Sequence, residues 1–198
     1  MRYRLLLQIQ SYWHIGTGRD AGAAVDVATH RDQDGLPCVP GRHIKGLLRD
    51  AFERAHAWGW AGHADGMVVA HLFGQRTERI TVDGAPTSGA LRVSDARLPE
   101  DLRAWLRADA QSAQRAALFR ILMATAIDEN SGSAKDRSLR GIEVVVPIDL
   151  GASIGPMPGR AVPFDWVQKL REVLPLISAV GGHRSRGLGR AILSLEAE

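Results

Sequence analysis

The segment Gly181-Gly182-His183-Arg184-Ser185-Arg186-Gly187-Leu188-Gly189-Arg190 holds the most concentrated chemistry in the chain. Four glycines, Gly181, Gly182, Gly187 and Gly189, surround His183, Arg184, Arg186 and Arg190, with no acid among them. Glycine lets the main chain reach positive φ and approach a ligand closely. Arginine presents a planar fork that matches a phosphate bidentately. Two readings fit this combination: a flexible turn with solvated arginines, or a loop that hugs a polyanion backbone without reading its sequence. A mononucleotide fingerprint is a poor fit, because such a cluster follows a strand and opens a helix. This one follows a helical pattern and runs into a terminal strand.

Other reactive residue types are sparse or badly spaced. Cys38 is the one cysteine, so it forms no internal disulfide and cannot hold zinc alone. His30, His56, His63 and His71 show no metal-ligand spacing with carboxylates. His14, in Trp13-His14-Ile15-Gly16-Thr17-Gly18, reads either as a general acid or as a packed, hydrogen-bonded loop histidine. The net charge is only +3, yet 22 of the 25 basic residues are Arg. A GC-rich coding sequence would give the same bias, so the placement of the arginines says more than their number.

The elements that must carry these residues follow from periodicity. In residues 2–10, Tyr3, Leu5, Leu7 and Ile9 alternate as a strand. Residues 11–39 form a long Gly/Asp/Thr-rich loop, a length usually associated with function or disorder. Pro40-Gly41 opens a helix over about 42–57, and a short helix at 67–73 stops at Gly74. A strand is predicted at 89–97, then a helix at 99–110 with Leu102, Trp105 and Leu106 inward. Residues 111–127 are ambiguous between helix and strand, and 128–139 read as a polar loop. Residues 140–150 read as one strong strand. Pro163 starts a helix that Pro175 kinks or narrows, and a last strand runs through Ala191, Leu193 and Leu195. The order βαββαβ predicts an α+β, ferredoxin-like (RRM-like) domain with loop insertions, one domain over 1–198. No apolar run is long enough to cross a bilayer and no signal-peptide pattern opens the chain, so a cytoplasmic location is expected.

With the elements placed, the motifs resemble those of the RAMP superfamily. The glycine-rich loop before the last strand is one. Leu36-Pro37-Cys38-Val39-Pro40-Gly41-Arg42-His43-Ile44-Lys45-Gly46 is similar to the family's Leu-Pro-x-Ile-Pro-Gly-Ser-Ser-Leu-Lys-Gly at the start of the first helix. Leu72-Phe73-Gly74 followed by the strand with Ser94-Asp95-Ala96 is a third match. Ala126-Ile127-Asp128 through Ala134, then Leu139-Arg140 and Glu143-Val144, is a fourth. The matches run in order over nearly the whole chain. They resemble most the repeated backbone subunit of type III CRISPR effector complexes, which serve antiviral defence.

That resemblance implies a set of expectations. Copies would stack along a guide crRNA, beside other effector subunits, and a thumb would kink the duplex of guide and target RNA. The spacing of Asp26 and Asp32 matches the family's pair of aspartates six residues apart, which carries the catalytic role over to Asp26. Asp32 has turn chemistry with Gly35. Asp26 would accept the 2′-OH proton of target RNA or hold a divalent metal such as Mg2+ near the phosphate. The resemblance also implies RNA contacts by Arg42, His43, Lys45, Lys135, Arg137, Arg140, His183, Arg184, Arg186 and Arg190. Arg42 and His43 depart from the family's small serines, and Asn130 and Ser131 stand near its usual Arg and Thr. The chain is also short for the subgroup. A non-cleaving scaffold subunit that holds guide RNA is therefore the alternative. A guide-processing enzyme would need a histidine-centred site and a second ferredoxin-like domain. A stand-alone RRM lacks its aromatic motif here.

Overall fold

The computed structural model describes residues 1–17, 27–75, 88–135 and 138–198. Its centre is a four-stranded antiparallel sheet formed by β1 (Tyr3–Ile9), β2 (Leu91–Val93), β5 (Asp149–Pro156) and β6 (Ala191–Ala197), in the order β2-β5-β1-β6. With α1 (Gly41–Ala57) between β1 and β2, and α5 (Trp166–Val173) between β5 and β6, this is the ferredoxin-like plan of two interlocked βαβ halves. Period 2 decides the faces. Leu5, Leu7 and Ile9 of β1, Leu150, Ala152 and Ile154 of β5, and Ala191 and Leu193 of β6 are buried. The buried face of α1, including Ile44, Leu48 and Phe52, shares their core.

The start of α1 depends on its glycine. A side chain at Gly41 would collide with the carbonyl oxygen of Val93, so β2 and the helix meet backbone to backbone. Asp95 Oδ1 accepts the Gly41 N–H at 2.9 Å, which caps the positive end of the helix from the segment just after β2.

The insertions carry α2 (Gly66–Phe73), α3 (Glu100–Arg107), α4 (Ser112–Ala117), β3 (Phe119–Ala124) and β4 (Arg140–Val145). β3 and β4 pair into a separate two-stranded sheet, with Phe119 opposite Val145 and Ala124 opposite Arg140. Two expectations change here. Residues 140–150 are not one strand: β4 ends at Val145 and belongs to the hairpin, while the central sheet takes β5. Pro147 separates the two, and Gly151, Ser153 and Gly155 weaken the strand signal of β5. Trp105 of α3 is half-exposed rather than inward, whereas Arg103 is buried. The ambiguous stretch 111–127 resolves into both alternatives, helix α4 and then strand β3. Pro175 sits in a 3₁₀ turn, Leu174–Leu176, that narrows the end of α5.

Candidate nucleic-acid interface

The glycine-rich loop is pinned along its backbone. Val180 N–H donates to Gly189 O at 2.8 Å and Ala191 N–H to Ser178 O at 3.0 Å, closing the base. Gly189 N–H donates to Tyr12 O and Gly182 N–H to His14 O, both at 2.7 Å. Ser11 Oγ donates to Gly187 O at 3.0 Å and accepts from Arg190 N–H at 2.9 Å. At the tip a 3₁₀ turn, Arg184–Arg186, lies between His183 at φ 54° and Gly187 at φ 84°. Two glycines are sterically required. Gly181 and Gly189 have positive φ, and a Cβ there would strike His14 O and Val180 O respectively. His183, Arg184, Arg186 and Arg190 are exposed. A fixed backbone thus presents solvent-facing cations, which distinguishes it from a loosely tethered turn.

Two histidines hold this loop from behind. His43 on α1 accepts the Gly181 N–H at its Nε2, at 3.0 Å. Burial and then the nearby Arg184 lower its pKa, favouring the neutral ring that this bond needs. His14 is buried and its Nδ1–H donates to Glu143 O at 2.7 Å. Burial is the main cause of its lowered pKa, and His183, with its ring centroid 6.2 Å away, lowers it further. His14 is therefore the point where the loop and β4 meet.

The segment that precedes α1 is braced against the hairpin. Trp13 is fully buried, bridges to Val145, and donates its Nε1–H to Val146 O at 3.1 Å. Glu143 accepts from Arg31 Nη2 at 2.6 Å and from Thr29 N–H at 3.0 Å. The Arg31 guanidinium lies 3.7 Å from the centroid of Phe119. Ser11 and Tyr12 support the loop without a sequence signal of their own, because these bonds use backbone atoms of the loop, while Glu143 and Arg31 brace the root of the hairpin through their side chains.

The remaining expected residues fall into distinct places. Arg42 is exposed beside His43 at the start of α1. Lys45 is half-buried and donates to Leu91 O at 2.9 Å, tying α1 to β2; burial and then Arg49 lower its pKa. Lys135 and Arg140 are exposed on the hairpin, away from the loop in sequence but joined to it through the His14–Glu143 bond. Asp26, expected as the catalytic and metal-holding residue, and Arg137 lie outside the described residues. Val27, which follows Asp26, bridges Ile142 in parallel. Asp32 forms the expected turn: its Oδ1 accepts from Asp34 and Leu36 N–H at 2.9 and 3.0 Å, and its Oδ2 is 3.4 Å from buried Arg103. Cys38 is buried, and burial pushes its thiol up to about 12, where it is a protonated core residue. Among the described residues no three His, Cys, Asp or Glu side chains come together as a metal site. No described helix is long and apolar enough to cross a membrane.

Comparison with solved structures matches this fold to subunits of known assemblies. A chain of the type III-B Cmr-beta complex bound to cognate target RNA superposes with a TM-score of 0.71 at 10% identity, over 98% of this chain and 97% of that one. The apo state of Cmr-beta gives a TM-score of 0.69 at 10% identity, over 98% and 97%. A type IV-B CRISPR complex gives 0.58 at 15% identity, over 100% and 91%. No curated protein matches the chain in sequence. The sequence pattern of the RAMP superfamily, however, matches residues 6–192, which run from within the first strand through the pinned loop to the first two residues of the last strand. The chain belongs to the RAMP superfamily.

Proposed function

We propose that this chain is a subunit of a type III CRISPR effector complex that grips the backbone of a guide crRNA and cleaves complementary target RNA. The observation that carries the reading is the glycine-rich loop, fixed by Tyr12, His14 and His43 so that Arg184, Arg186 and Arg190 face solvent. Fixed cations bind phosphates without the entropy cost of ordering a free loop. Arg42 and His183 add to this surface, and Lys135, Arg137 and Arg140 of the hairpin would meet the guide or its target. Stacking of further copies along the guide, beside other effector subunits, belongs to the same reading.

Asp26 is the residue assigned to cleavage. A target nucleotide held out of A-form geometry can bring its 2′-OH in line with the adjacent phosphate, and the Asp26 carboxylate would accept that proton. A divalent metal such as Mg2+, held by Asp26 and phosphate oxygens, would stabilise charge on the phosphate. The assigned role has a direct test. Guide-loaded complex is incubated with labelled complementary RNA in magnesium, as wild type and as Asp26→Ala. Evenly spaced cuts by wild type, with binding but no cutting by the variant, support the assignment. Equal cutting by both would remove Asp26 from the chemistry. Binding by both with no cutting by either would make the chain a guide-holding scaffold.

A further inference from the structure

A groove of about 660 Å³ opens beside the glycine-rich loop, between the turn after α5 and the first residues of β6. Its floor includes Leu174, Ile177 and Leu193, each buried, and its walls include Pro175, Leu188 and Ile192. Arg184, Arg190 and Gln10 line it as well, and no acid is among the lining residues. Two of the loop's exposed arginines thus also border an apolar recess large enough for a nucleotide.

We infer that this groove takes one unstacked base of a single-stranded RNA held by the loop; the inference rests on the RNA-binding reading above. The aliphatic floor would cover one face of the base. The guanidinium plane of Arg184 or Arg190 would stack on the other or hold the adjoining phosphate. Gln10 offers an amide donor and acceptor to the base edge. The lining favours RNA over a protein segment, because it joins apolar contact to cations of the phosphate-binding loop with no counter-charge.

The test compares the affinity of the full chain for a 20-nucleotide single-stranded RNA with its affinity for the same RNA made abasic. Wild type is expected to bind the abasic strand about tenfold more weakly. Pro175→Trp and Ile192→Trp fill the groove from its exposed walls. They are expected to weaken binding of intact RNA by about that factor and to erase the difference between the two strands. Equal binding of both strands by wild type overturns the groove assignment and leaves backbone gripping intact. Groove variants that keep the full difference overturn it too. So do variants that bind both RNAs as wild type does but no longer join the other subunits, which would make the groove a protein-docking edge. Failure of wild type to bind either strand removes the RNA reading, and this inference with it.

Discussion

At the residue scale, the loop depends on positions where chemistry leaves little choice. Gly189 has φ 73°, and a Cβ there would strike Val180 O. Gly189→Ala is expected to cost more than about 1 kcal/mol of stability, read from the urea midpoint, and to weaken RNA binding more than tenfold. His14 and His43 give a pH dependence whose sign follows from burial. Both have lowered pKa values, so the unfolded chain binds more protons than the folded one below the ordinary value of 6.5. Their contribution is complete above that value and is lost as pH falls from it through the lower folded values. Melting temperature should therefore drop between about pH 7 and pH 5. His43→Gln keeps an acceptor for Gly181 N–H, and His14→Asn keeps a donor for Glu143 O. The double variant should flatten this drop; an unchanged slope would place the titrating groups elsewhere. The glycine and arginine cluster was legible in the sequence. The part of His43 was not, since nothing in its neighbours announces that its ring would meet a loop 138 residues away.

At the scale of elements, two packing relations position the site. α1 buries Phe52 against Phe73 of α2, with ring centroids 5.2 Å apart. Phe52→Ala should destabilise the fold by about 3–5 kcal/mol in urea titration. The hairpin is held at its root by Glu143, whose carboxylate serves both Arg31 and the Thr29 N–H. Glu143→Ala should cost about 1–3 kcal/mol, chiefly from the orphaned N–H of buried Thr29, because Arg31 is partly solvated. Faster hydrogen exchange confined to β3, β4 and residues 27–31 would locate that loss; a uniform increase would contradict a local brace. Strong periodicity made β1, α1 and β6 legible. β5 was missed because Gly151 and Gly155 weaken the strand signal while Leu150, Ala152 and Ile154 still alternate inward. The strand expected over 140–150 joins the valine run to the first residues of β5, although Val144 and Val145 serve the hairpin instead.

At the scale of the whole molecule, the ferredoxin-like sheet is a frame that brings the chain's start, its first helix and its last loop to one place. Tyr12 and His14 follow β1, His43 begins α1, and Gly181 to Gly189 precede β6; all three meet in the bonds that fix the loop. The order of elements was readable in advance where β1, α1 and β6 are strongly periodic, but the meeting point arises only when β6 lies beside β1. The central claim is that this meeting point is an RNA grip. It is tested most directly by measuring the affinity of a guide-length RNA for wild type and for Arg184→Glu/Arg186→Glu across 50–200 mM salt, with circular dichroism confirming that both are folded. The account predicts strong salt dependence for wild type, with affinity at least tenfold lower and a shallower salt slope in the variant. Equal affinity and equal slope in the two proteins would contradict it.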